Sequence, residues 1–321
     1  MISDSRIVER LEQWDANRLS SLNWQIAVQG IKEGFLHPIA IVDGTQLGKQ
    51  LYSVLGIQTR WGDILLLDVE PLEKRGKELP GSECLIRRMS ELGYSGMIKY
   101  LLVDALYLNE RVYRWKEQGW IEHFVVKYTP DTVESAKGFR RMVNAFEKMV
   151  NLWEEHKGKP KALSLKHRMG FGEQRGRDER RGLRYRIYYA RTNSCDRRYS
   201  MARVEEYRGG EKISLFYVFS TDKELDGLTL RELAHQRWYI ENDGFRMLNA
   251  HIHSKRVWSK NRQVLQNLLL IQILAVGLLM LFRREYRLRI HKAYPNVKQT
   301  LGFVSSLLFE YCYIGAHWVD R

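Results

Sequence analysis

Two short apolar runs that each end in an aspartate constrain this chain more than anything else in it: Ile39-Ala-Ile-Val-Asp43 and Tyr100-Leu-Leu-Val-Asp104. Uninterrupted runs of this kind read as strands buried on both faces, the central strands of a parallel or mixed sheet. A carboxylate that follows directly is delivered to the strand's C-terminal end. Between the two runs, Val54–Thr59 and Ile64–Val69 read as strands separated by the turn formers Trp61-Gly62-Asp63. A helix is expected from Gly81 through Leu92, closed by Gly93, and another from the capping Asn109 to about Gln118. His123–Tyr128 is the next strand. The order β-β-β-α-β-α-β over residues 39–128 predicts an α/β fold, a mixed sheet flanked by helices.

The texture changes after Thr129. A helix is expected around Val143–His156, then an Arg/Gly-rich stretch that reads as a solvated loop, then strands near Tyr185–Ala190, Tyr199–Tyr207 and Ile213–Ser220. This is a β-rich insertion, after which Thr229 is placed to cap a helix running past Trp238 and Glu241. At the other end, Ser3-Asp4-Ser5 opens helix through about Gln29. The chain therefore divides into an N-terminal helical segment (1–35), the first part of the α/β domain (36–128), a basic β-rich insertion (129–226) and a helical completion with a tail (227–321). The apolar run Val264–Phe282 approaches the length of a membrane span. It holds Gln266, Asn267 and Gln272 and has basic residues at both ends, so a buried core helix is expected and no membrane partner.

Charge narrows the partners. Lys and Arg number 52 against 38 Asp and Glu, a net +14 that favours a polyanion such as nucleic acid or an anionic membrane surface, between which charge alone does not choose. Residues 166–191 hold nine Lys and Arg against three acids, and Arg175, Arg177, Arg180, Arg181 and Arg184 among them become phosphate contacts if the partner is DNA. Cys84, Cys195 and Cys312 lie far apart without paired spacing, and the N-terminus lacks a signal-peptide core, so a reducing cytoplasm is the expected compartment. Gly44-Thr-Gln-Leu-Gly48-Lys49 lacks P-loop spacing, and His251 and His253 have no third zinc ligand nearby, so no organic cofactor and no zinc are expected.

Two strand-terminal acids acquire chemical meaning if a third joins them. Phosphoryl transfer on DNA uses two metal ions to activate the attacking hydroxyl and to neutralise the leaving oxygen, and magnesium takes oxygen ligands. Glu241, four residues after Arg237, supplies the third carboxylate. The sequences Ile-Val-Asp43-Gly-Thr, Leu-Val-Asp104-Ala-Leu-Tyr and Arg237-Trp-Tyr-Ile-Glu241-Asn-Asp-Gly-Phe resemble the three boxes of bacterial insertion-sequence DDE transposases, in particular the insertion-sequence-four group.

That resemblance covers about residues 36–282. It implies a ribonuclease-H-like core with a β insertion before the last catalytic helix, and cutting and joining of transposon ends. It also implies Asp43, Asp104 and Glu241 as catalytic ligands of two Mg2+, with Mn2+ as a substitute. Double-stranded DNA, both terminal inverted repeats and target, is the implied partner, bound by a homodimer. Arg237 matches the Arg of the final box. Ala234 and Leu248 stand where the family has Tyr and Lys, and Tyr239, His251, His253 or Lys255 are candidates to replace those DNA contacts. Trp238, Tyr239 and Trp258 are candidates to stack on an unpaired base. Only 42 residues precede Asp43, short for the family's DNA-binding region, so 1–35 reads as its remnant. The alternative is an inactive or truncated transposase-derived DNA-binding protein.

Overall fold

Alternation along the strands builds a sheet with two apolar faces. In the computed structural model, which describes residues 4–47, 50–107, 110–130, 137–156, 170–192, 199–245 and 261–285, the order is as follows. Helices α1 (Asp4–Gln13) and α2 (Ala16–Lys32) lead into strands β1 (Leu36–Leu47), β2 (Gln50–Thr59) and β3 (Ile64–Leu72), then α3 (Glu78–Glu91) and β4 (Tyr100–Asp104). A 3-10 turn (Ala105–Tyr107), α4 (Glu110–Glu117), β5 (His123–Tyr128) and α5 (Lys137–Glu155) follow. Strands β6 (Phe171–Asp178), β7 (Leu183–Thr192), β8 (Tyr199–Arg208) and β9 (Glu211–Ser220) precede α6 (Gly227–Gln236), a π-helical turn (Ile240–Phe245) and α7 (Arg262–Glu285).

The nine strands of the described residues form one mixed sheet in the order β3-β2-β1-β4-β5-β9-β8-β7-β6. Strands β1, β4 and β5 run parallel, and the remaining pairings are antiparallel. The β-rich stretch after β5 is thus continuous with the first sheet, joined to it through β5 and β9. The Arg/Gly-rich segment expected as a loop is instead strand β6, paired with β7 over eight positions from Phe171↔Ala190 to Asp178↔Leu183. Its glycines suggested a loop, but Gly172 and Gly176 lie against the rings of Tyr189 and Tyr185, where a side chain would clash.

Ala40, Val42, Leu101, Val103, Phe124 and Val126 point into one core with Leu85 and Met89 of α3, Trp115 of α4 and Phe146 of α5. Ile41, Leu102, Val125 and Val204, one residue out of phase, join the other core with Leu230 and Leu233 of α6, Ile240, and Leu269, Leu270 and Ile273 of α7. Asp43 and Asp104 share the phase of Ile41 and Leu102, so both belong to the α6 face.

The long apolar run is core helix α7. Its amides explain why: Asn267 donates to the carbonyls of Leu11 (2.7 Å) and Trp14 (2.9 Å), and Gln266 to that of Val69 (3.0 Å). No helix among the described residues is long and apolar enough to cross a membrane. The N-terminal helix breaks at Asp15, which caps α2 by accepting from the Asn17 amide at 2.9 Å. At α6 the cap is Asp226, accepting from Thr229 N at 2.8 Å, rather than Thr229 itself. Helix α6 also stops at Gln236, so Arg237 and Glu241 follow it in a turn and a π-helical segment.

Candidate active site

The ladder between β1 and β4 runs from Ile39↔Tyr100 to Ile41↔Leu102 and then ends. Two further residues along each strand bring Asp43 level with Asp104, where the strands no longer share hydrogen bonds. On the next strand Asp104 pairs with Lys127. Asp43, Asp104 and Lys127 therefore form one row across three parallel strands, on the α6 face, at the C-terminal edge where open α/β sheets bind ligands.

Arg237 closes the row from above. Its guanidinium donates to Asp43 Oδ2 at 3.0 Å and pairs with Glu241 Oε1 at 3.0 Å. The i,i+4 spacing does form an ion pair, and the same arginine also reaches a strand 194 residues earlier. Each aspartate is held by the amide of its successor: Gly44 N donates to Asp43 Oδ1 at 2.8 Å, and Ala105 N to Asp104 Oδ1 at 2.6 Å. A Cβ at Gly44 would lie 2.7 Å from Glu78 Cγ, so any larger residue there requires the Glu78 side chain to shift.

Burial pushes the Asp43 carboxyl up to about 6, against the pull of Arg237 and the Gly44 amide, and the negative charges of Glu241 and Asp104 push it further. Asp43 thus senses both other acids, although 198 residues separate it from Glu241. Lys127 is affected in the opposite direction. Burial lowers it first and the positive charge of Arg237 second, while its ammonium lies 4.3 Å from the Phe216 ring centre. Lys127 is a member of the site that the sequence reading missed. The available signal was a single lysine inside the apolar run Phe124–Tyr128.

Helix α6 is anchored by a charge cluster beneath it. Arg231, 3% exposed, donates to Glu206 Oε1 of β8 at 2.6 Å and reaches Asp178 Oδ2 of β6 at 3.3 Å, and His235 Nε2 lies 2.8 Å from the same Glu206 oxygen. Burial alone would raise Glu206, yet the hydrogen bonds from His235 and Arg231 hold it down to about 2. The cluster fixes the direction in which Arg237, one residue past the helix, leaves for Asp43.

The remaining expected contacts separate. Tyr239 packs against the α6-side core. Trp238 is 58% exposed beside Arg237. Arg181 sits in the β6–β7 turn on the acid side, close enough to act on Lys127 and His235. Arg180 is exposed in the same turn, whereas Arg175, Arg177 and Arg184 face α5, across the sheet from the acids. Ala234 is buried in the core. Leu248, His251, His253, Lys255 and Trp258 lie outside the described residues, as do Cys195 and Cys312.

No protein-family model and no curated protein matches this chain. Geometry and charge alone therefore bear on what the site can hold. Its donors are all carboxylate oxygens, the ligands of a hard divalent cation, and burial raises the pH at which Asp43 ionises, which nearby positive charge opposes. Among the described residues no three His, Cys, Asp or Glu are gathered closely enough to hold a metal ion as they stand. The guanidinium of Arg237 lies between Asp43 and Glu241 and pairs with both, one positive charge against two carboxylates. The residue chemistry fits Mg2+ provided that Arg237 releases one of its two acids.

Proposed function

We propose that the chain is a DNA transposase of the DDE type, with Asp43, Asp104 and Glu241 as the carboxylates that hold two magnesium ions. The observation that carries the reading is the meeting of the three sequence boxes: Asp43 and Asp104 level on neighbouring strands, with Arg237 tying Asp43 to Glu241. A mixed sheet that delivers two acids at one edge, and a third from beyond a β-rich insertion, agrees with the ribonuclease-H-like core that the resemblance implies. The net +14 and the arginines of the insertion agree with a duplex DNA substrate.

When bound, the ions supply activation of the attacking water or 3′-hydroxyl and neutralise charge on the leaving oxygen. The protein's own part is positioning. The Gly44 and Ala105 amides orient the two aspartates, and the Glu206–Arg231 cluster aims Arg237. Once displaced from one acid, Arg237 is free to hold a non-bridging phosphate oxygen in the same place. Lys127 adds a second positive charge in a partly dry site, where it acts more strongly than in water.

The alternative, a transposase-derived protein that binds DNA without cutting it, is favoured by one observation: Arg237 already satisfies both acids. A nicking and strand-joining assay on duplexes carrying the element's own terminal inverted repeats, with Mg2+ or Mn2+, separates the two. Wild type is expected to nick and join, and Asp104→Ala to bind DNA without doing either. DNA binding by wild type with no metal-dependent nicking leaves the binding-only reading standing.

A further inference from the structure

The insertion carries a second row of cations that the acids do not use. On β6, Glu173 meets Trp153 of α5 while Gln174 meets Leu228 of α6, so Glu173, Arg175 and Arg177 share the α5 face. On β7, Arg186 and Tyr188 reach Glu154 of α5, and Arg184 shares their phase. The register then aligns Arg177↔Arg184, Arg184↔Tyr207 and Tyr207↔Lys212, a row across β6, β7, β8 and β9. At about 4.8 Å per strand the row is roughly 14 Å long, a length over which one DNA strand carries about four phosphates.

Arg177, Arg184 and Lys212 are exposed; Lys212 pairs with Glu205 at 3.4 Å, and the Tyr207 hydroxyl donates to the same carboxylate at 2.7 Å. The ion pairs of the β6–β7 hairpin among the described residues engage Arg175, Arg181 and Arg186, and none engages Arg177 or Arg184. Two like charges directly opposite on neighbouring strands destabilise a sheet unless an anion comes between them. The row behind is different: Arg175 and Arg186 are both tied to Glu173, and Arg186 pairs in register with Glu205. The two arginines of this hairpin that no acid engages therefore stand side by side on one line, which matches a chain of phosphates better than a plane of lipid headgroups.

The row's position excludes the phosphodiester at the acids. Level with Asp104, the register passes through Lys127, Val218, Ala202 and Tyr189 to Gly172. Arg177 lies five residues beyond Gly172, about 17 Å further toward the acid end, and five strands sideways, about 24 Å. It also faces the opposite side of the sheet. At such a separation, several Debye lengths, the two rows act on different phosphates.

We infer that Arg177 and Arg184, continued across the sheet by Tyr207 and Lys212, form a phosphate-binding rail for a second DNA duplex, held on the α5 face while the first lies at the acids. This rests on the reading of the acid row as a DNA site. The test is native mass spectrometry of the full chain with duplexes of about one helical turn, about 10 base pairs, without divalent ions. Wild type is expected to hold two duplexes per protomer, and Arg177→Gln/Arg184→Gln one, with unchanged circular dichroism. For a longer duplex that binds only the rail, in an Arg237→Gln background, the slope of log K against log salt should fall by about 2, near 0.9 for each lost phosphate contact. A wild type that never exceeds one duplex overturns the rail, as does a double variant that keeps both. Loss of binding to anionic lipid vesicles, with two duplexes retained, assigns the row to a membrane surface instead. Because no cleavage is needed, a protein that holds two duplexes but never nicks overturns the transposase reading and leaves the rail intact.

Discussion

Asp43 is under two opposed demands: burial favours its protonated form, while Arg237, and on the proposed function a divalent ion, requires the carboxylate. Its carboxyl in the folded chain titrates near 6, above the ordinary 3.8. A group raised in this way stabilises the fold fully below about pH 4, and that contribution is lost as pH rises through 6. Asp43→Asn cannot titrate. The variant should therefore gain on wild type by about 3 kcal/mol between pH 4 and pH 7, read from urea unfolding at several pH values. A gap that stays constant with pH contradicts the assigned burial. Lys127 allows a cleaner separation of charge from packing, because Lys127→Met keeps the stem on Phe216 and removes the ammonium. The expected result is a nicking rate lower by roughly 100-fold with an unfolding midpoint no lower than wild type.

At the scale of elements, α6 does more than cover the sheet. Arg231, Glu206, Asp178 and His235 join it to β6 and β8 with little exposure to water, and the helix ends where Arg237 must leave for Asp43. Removing one member of a buried pair strands the other. Arg231→Ala should thus cost about 3–5 kcal/mol in urea unfolding, while Arg231→Met/Glu206→Leu together should cost clearly less. Equal losses would show that packing, rather than charge pairing, holds the helix. The β6–β7 hairpin has a comparable division of labour. Its α6-facing residues, Gln174 and Asp178, bind the helix, and its α5-facing arginines meet Glu154, Glu173 or solvent.

For the whole molecule, the acids and their cation form a site whose occupant should affect global stability. A ligand that binds only the folded chain adds RT ln(1 + [L]/Kd), about 3 kcal/mol at one hundred times Kd. Mg2+ or Mn2+ is expected to raise the unfolding midpoint of wild type and to leave that of Asp104→Asn unmoved. Equal shifts in both proteins would locate the ions elsewhere. The same scale explains the single nine-stranded sheet: β9 covers the edge of β5, so the insertion shields a parallel strand that would otherwise expose its backbone.

Much of the fold was legible because strand and helix periods are local. The runs at Asp43 and Asp104, the strand at His123–Tyr128 and the alternation of β8 and β9 all follow from neighbours in sequence. The third acid was legible as Arg237-x-x-x-Glu241, a spacing that does close an ion pair. Strand β6 was misread because arginines and glycines carry no apolar alternation, and its pairing depends on tyrosines of β7 that lie against those glycines. Lys127 and the division of the arginines between two faces were invisible for a related reason. Which side chains share a row or a face depends on register and strand order, set by hydrogen bonds between residues far apart in the chain. The sequence by itself determined the charge, the strands that end in Asp43 and Asp104 and the spacing of Arg237 and Glu241; only the tertiary structure made β6 a strand, brought Arg237 between Asp43 and Glu241 and put the arginine row on the other side of the sheet.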